Sequence, residues 1–144
     1  MTSVQQHTSA TPAQVWSVLS NGWLYATWVV GTSRIRDVDP DWPQAGTKIH
    51  HSVGLWPALL NDETESLESK AGYLELSAAA SPFGRARIRL TIEKDGDGSL
   101  ITMDEFVETA PLRWIPPVVQ RTAMRPRLNE CLQRLAMLAE RNAR

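Results

Sequence analysis

One cysteine, Cys131, stands in a chain of 144 residues, which excludes an intrachain disulfide and any scaffold stapled by several. No apolar run approaches the roughly 20 residues a membrane-spanning helix requires. Met1 to Ala10 is polar and has no apolar core of the kind a secretory signal carries, so the expected compartment is the cytoplasm. A basic excess is also missing. The formal net charge is −1, and nothing in the total suggests a nucleic-acid partner. Phosphate loops, dinucleotide fingerprints, zinc motifs and nucleophile elbows do not occur, so no cofactor is implied. His50 and His51 are adjacent, and in a strand they point to opposite faces, so they cannot readily share one ion. The acidic run Asp62-Glu63-Thr64-Glu65 is a solvated strand edge on the same reasoning, and no metal site is expected.

What the sequence does hold is ordinary globular material for one domain over residues 1–144, long enough to bury about two-thirds of its unfolded surface. Its most informative stretch is the end. From Pro117 to Arg141 a helix of about two dozen residues is predicted, with Leu128, Cys131, Leu132, Leu135, Leu138 and Ala139 at the spacing of one helical stripe. Cys131 in that stripe reads as a buried thiol. Arg127, Glu130, Arg134 and Arg141 take other positions around the helix, and the arginines read as a solvated face. Pro126 bends the helix or divides a lead-in from the main part at Arg127.

Toward the other end, Ser3 to Ala10 is extended. Thr11-Pro12-Ala13-Gln14 then has the residues of a capping box with proline in the first helical turn. Val15, Trp16, Val18 and Leu19 give a short helix one apolar face, and Asn21-Gly22 ends it. Trp23 to Val30 is one or two further helical turns, stopped by Gly31. From Ser33 the period becomes two. Six strands are predicted, at about 33–39, 46–54, 62–69, 73–80, 85–94 and 99–108. Pro40-Asp41-Trp42-Pro43, Lys70-Ala71-Gly72, Ser81-Pro82 and Asp95-Gly96-Asp97-Gly98 separate them with turn chemistry, which makes an antiparallel meander. Alternation is cleanest where Ala86, Ile88, Leu90 and Ile92 face in and Arg85, Arg87 and Arg89 face water.

Several local features match known patterns in this order: Ala10-Thr11-Pro12-Ala13-Gln14-Val15-Trp16, the segment Trp23 to Trp28, Ala45-Gly46-Thr47-Lys48-Ile49-His50-His51-Ser52-Val53-Gly54, and Leu128 to Glu140. Together they resemble the START/SRPBCC helix-grip superfamily, in its polyketide cyclase/dehydrase branch, over essentially the whole chain. The resemblance implies an α+β fold in which a curved seven-stranded antiparallel sheet grips the long C-terminal helix around a mostly apolar cavity, in the order β-α-α-β6-α. Members include aromatic-polyketide cyclases, lipid and sterol carriers and plant hormone receptors, so the fold leaves the function open.

Two residues are candidates for chemistry. Ile49, His51 and Val53 share a strand face, and if that face is the inner one His51 meets the ligand as an acid or base. Otherwise it is a core histidine held by a backbone carbonyl or a tyrosine. Ile101, Met103, Glu105 and Val107 share another face, where Glu105 needs a partner or a polar ligand; in the opposite register Phe106 is the inward residue and Glu105 lies on the rim. The apolar segment Leu55 to Leu60 covers the cavity mouth or packs on Trp42. The predicted cavity lining is Trp28, Ile49, Val53, Trp56, Leu59, Leu60, Tyr73, Met103 and Trp114. Three functions fit: a carrier of an apolar or amphipathic small molecule, a cyclase or dehydrase using His51 and Glu105, or a protein-interaction module with a filled interior. The chain is expected to be a monomer or homodimer.

Overall fold

The computed structural model describes residues 1–53, 59–79, 84–109 and 112–142. The segment Leu55 to Ala58, with Trp56, and the Ser81-Pro82 turn lie outside them. The elements follow the order β1 (Thr2–Thr8), α1 (Pro12–Leu19), α2 (Tyr25–Trp28), β2 (Thr32–Val38), β3 (Lys48–Val53), β4 (Leu60–Lys70), β5 (Tyr73–Ala79), β6 (Arg85–Asp95), β7 (Gly98–Val107) and α3 (Pro117–Asn142). All seven strands form one antiparallel sheet in the order β1-β7-β6-β5-β4-β3-β2. The meander from β2 to β7 is thus intact, and β1 returns to close on its last strand.

Local chemistry explains the corners. Thr11 accepts from the Gln14 backbone N–H at 3.3 Å while the Gln14 side chain accepts from the Thr11 N–H at 2.8 Å, so the predicted capping box forms. The second helical segment is tighter than a plain α-helix. A 3-10 turn, Gly22–Leu24, capped by Asn21, leads into one α turn, and Gly31 ends it with φ of 103°, which favours glycine. Gly46, with φ of 90°, ends the loop before β3, so that strand starts at Lys48 and not at 46 as the alternation suggested.

The helix α3 runs unbroken through Pro126. Its residues from 117 to 126 are largely exposed, whereas Leu128, Cys131, Leu132, Leu135, Ala136 and Ala139 are buried against β1, β7, α1 and α2. The predicted stripe is therefore the docked face, extended by Ala136, with Leu138 at its edge. From the sheet, Ile49, Leu74, Leu76, Ile88, Leu90, Ile101 and Met103 meet the same core.

Leu135 is fully buried and Met137, on the same helix, is half exposed. Leu135→Ala is expected to cost roughly 2–5 kcal/mol in chemical denaturation, and Met137→Ala no more than about 0.5 kcal/mol. Equal small losses would mean that the helix is not docked by this face.

Candidate functional site

Strand register decides which side chains turn toward α3. Across β3 and β4, Ile49 stands opposite Thr64 and His51 opposite Asp62. Ile49, His51 and Thr64 are buried, His51 with only 2% of its surface exposed. His50 is on the other face, where Asp39 and Glu63 flank its ring at 3.2 and 3.4 Å. Arg36, at an irregularity in the β2–β3 pairing, ties β2 to both β3 and β4: its guanidinium donates to the carbonyls of His51 and Asp62.

His51 is held through a hydroxyl. Its Nε2 lies 2.8 Å from the Thr64 Oγ1, and Thr64 lies 3.2 Å from the Tyr25 hydroxyl of α2. The Tyr25 and His51 rings stack with centroids 5.6 Å apart, and Trp28 meets Tyr25 edge-on. Burial pulls the His51 pKa below the ordinary histidine range, the effect of nearby Asp62 being smaller and opposite. Burial likewise pushes the Tyr25 phenol up to about 12. At neutral pH both groups are uncharged.

Glu105 occupies the second polar position. In β7 it stands opposite Ile88 of β6 and Thr2 of β1, on the inner face, while Phe106 turns outward under the Arg89 guanidinium. Its partner is Arg127 of α3, Nη1 to Oε2 at 3.4 Å, and the same arginine donates from Nε to the Val30 carbonyl at 3.0 Å. The expectation of a wholly solvated arginine face therefore fails at Arg127, because a carboxylate on the inner face needs a counter-charge. Next to it the Cys131 thiol accepts from the Val30 N–H at 3.3 Å, and burial raises its pKa, as befits an inert core thiol.

His51 and Glu105 are not paired with each other. Their strands lie four positions apart in the sheet, about 4.8 Å per step along it, and each has its own partner. Of the predicted lining, Trp28, Ile49 and Met103 are buried and Val53 and Leu59 half-buried. Leu60 is 43% exposed. Tyr73 is a correction: it lies on the outer face, its hydroxyl donating to Glu75 and its ring beneath Lys70, because in β5 the inward residues are Leu74 and Leu76. Trp114 is another, 79% exposed beside the start of α3. Trp56 lies outside the described residues. Tyr25 is not singled out by the sequence, Arg127 reads there only as part of a solvated arginine face, and Asp62 and Thr64 only as part of an acidic run. Asp62 and Thr64 were visible as alternate positions of β4, but an acidic run reads as a solvated edge until its register is known.

Among the described residues no cluster of three or more histidine, cysteine or acidic side chains is gathered as a metal site. No helix is long and apolar enough to cross a membrane. A separate groove of about 490 Å³ lies outside the sheet–helix space, between α1, the 3-10 turn and the loop after β2, with Trp23, Asp39 and Trp42 in its wall.

A curved antiparallel sheet closed by one long C-terminal helix, with two short helices after the first strand, defines the helix-grip class. Within that class the chain belongs to the family described as polyketide cyclase/dehydrase and lipid transport, whose profile matches residues 1–140. Solved structures agree on the fold. A START superfamily protein from Mycobacterium smegmatis superposes with a TM-score of 0.74 at 16% identity, covering 96% of each chain. Protein NE0264 from Nitrosomonas europaea gives 0.75 at 14% identity, over 98% of this chain and 94% of that one. The di-domain ARO/CYC StfQ from the steffimycin biosynthetic pathway gives 0.71 at 8% identity, over 98% of this chain and 50% of that one. No curated protein matches the sequence significantly.

Burial holds the Glu105 carboxyl above the usual carboxylate range, and Arg127 only partly opposes this. The folded state thus keeps this proton at a pH where the unfolded chain, with its glutamates near about 4.3, has lost it. Stability contributed by the protonated form is lost as pH rises through the folded value. Urea denaturation from about pH 4 to 7 should show Glu105→Gln gaining on the wild type as pH rises. A pH-independent difference would contradict the burial argument.

Proposed function

We propose that the chain binds one apolar or amphipathic small molecule, such as a polyketide, lipid or aromatic metabolite, between the inner face of the sheet and α3. The observation that supports this is the makeup of that face. Ile49, Leu74, Leu76, Ile88 and Met103 make it apolar, and His51, Thr64 and Glu105 add a few fixed polar groups. Such a mixture suits a ligand site, where apolar walls supply affinity and sparse polar groups set orientation. Family membership points the same way. The separate pairing of His51 with Thr64 and of Glu105 with Arg127 favours binding over a joint acid–base role for the two. A cyclase-type reaction remains the second reading, favoured by the buried neutral imidazole of His51 in line with two hydroxyls.

A fluorescent fatty-acid or naphthalene probe titrated into native protein is expected to saturate near one-to-one stoichiometry. Leu59→Trp, at the rim of β4, should change its affinity several-fold. Arg87→Gln should not, since Arg87 pairs with Glu108 at 2.7 Å on the outer face. Absence of saturable binding to the folded protein would overturn the proposal and leave the interaction module.

A further inference from the structure

Thr64 stands between two ring-bearing groups, and the three share a small number of hydrogens. A neutral imidazole, a threonine hydroxyl and a phenol carry one mobile hydrogen each. Two hydrogen bonds join them, Tyr25 to Thr64 at 3.2 Å and Thr64 to Nε2 of His51 at 2.8 Å. If the phenol donates to Thr64 and Thr64 donates to Nε2, both hydroxyl hydrogens are used and the imidazole carries its hydrogen on Nδ1. In the reverse direction Nε2 donates to Thr64 and Thr64 donates to the phenol oxygen. The buried phenolic hydrogen then has no acceptor in this network, and Nδ1 is left a bare acceptor. Each direction leaves one buried hydrogen unmet, that on Nδ1 in the first and that of the phenol in the second. Only the second also leaves a ring nitrogen with no hydrogen to accept, so the first leaves fewer buried groups unpaired and places the imidazole hydrogen on Nδ1.

Nδ1 of His51 has no hydrogen-bond partner among the described residues, although the side chain is more than nine-tenths buried. Arg36 cannot supply an acceptor, being a donor itself, and it is engaged with the backbone of His51 and Asp62. Asp62, opposite on β4, has Oδ1 turned to the backbone N–H of Glu63 at 2.8 Å. A buried polar atom left without a partner in an otherwise paired network calls for one from elsewhere.

We infer that the Nδ1–H of His51 is the polar anchor of the site and selects ligands that present a neutral acceptor oxygen on an apolar body, such as a ketone or quinone carbonyl. The inference rests on the binding function proposed above and names the ligand class for it. Asp62, on the same face as His51, makes a carboxylate a poorer occupant than a carbonyl, because its charge repels an anion.

Two ligands of the same shape separate the anchor from the cavity: 2-acetylnaphthalene and 2-isopropylnaphthalene, each measured by displacement of the fluorescent probe. The ketone is expected to bind about tenfold more tightly, the scale of one well-made buried hydrogen bond. In His51→Phe, which keeps a ring against Tyr25, the preference should vanish while the hydrocarbon still binds. In the free wild-type protein, long-range nitrogen–proton correlation spectra should show the hydrogen of His51 on Nδ1. Equal binding of both ligands to the wild type overturns the anchor but leaves the binding function standing. That result also follows if a water satisfies Nδ1 in both complexes. An imidazole protonated on Nε2 likewise overturns it. Failure of both ligands to displace the probe, or of the probe to bind, removes the binding function and the anchor with it.

Discussion

The stripe from Leu128 to Ala139 leaves water only if it lies against something apolar, and the rest of the structure is arranged around that requirement. The first strand, returning to pair with the last, supplies part of the surface, and α1 and α2 supply the rest. Because strand side chains alternate, a sheet that offers α3 one apolar face must turn every second residue the other way. The salt-bridged outer face of Glu75, Arg87 and Arg89 is the consequence. A slip of one residue in β5 or β6 would turn those charges toward α3.

Polar residues on the inner face are therefore exceptions that must be paired, and their pairings link the docked helix to the candidate site. Arg127 and Cys131 of α3 hold the two backbone polar groups of Val30, just beyond α2. From α2, Tyr25 reaches Thr64 and stacks on His51. Arg127 also meets Glu105. The positions of His51 and Glu105 thus depend on the same helix, though the two residues do not touch. This gives the interior two distinct polar points on an apolar ground, one neutral and one charged, which is a basis for orienting an amphipathic ligand.

Much of this was readable from sequence because period-two and period-3.6 patterns are long and clean here. The inward set Ala86–Ile92, the α3 stripe and the Thr11 capping box all follow from local pattern, whereas alternation alone leaves either Glu105 or Phe106 inward until the pairing of Glu105 with Ile88 decides it. The partner of Glu105 was not readable. Arg127 is one arginine among six in the last two dozen residues, and only the docking of α3, which brings it to Glu105, singles it out. Tyr73 was misplaced for a similar reason. β5 pairs without interruption with β6, where Leu90 and Ile88 face in, so their partners Leu74 and Leu76 take the inner side and Tyr73 the outer. Thr64 and Tyr25 come together over 39 positions of sequence, a contact that no short-range pattern encodes.

The central claim is that the inner face of the sheet, and no other surface, receives the ligand. Methyl-labelled protein titrated with a naphthalene ketone and followed by nuclear magnetic resonance tests it directly. Shifts are expected at Ile49, Leu76, Ile88 and Met103, with the methyl groups of Thr91 and Thr102 unmoved. Shifts confined to those outer-face threonines, or to Val38 beside the groove between α1 and β2, would contradict it.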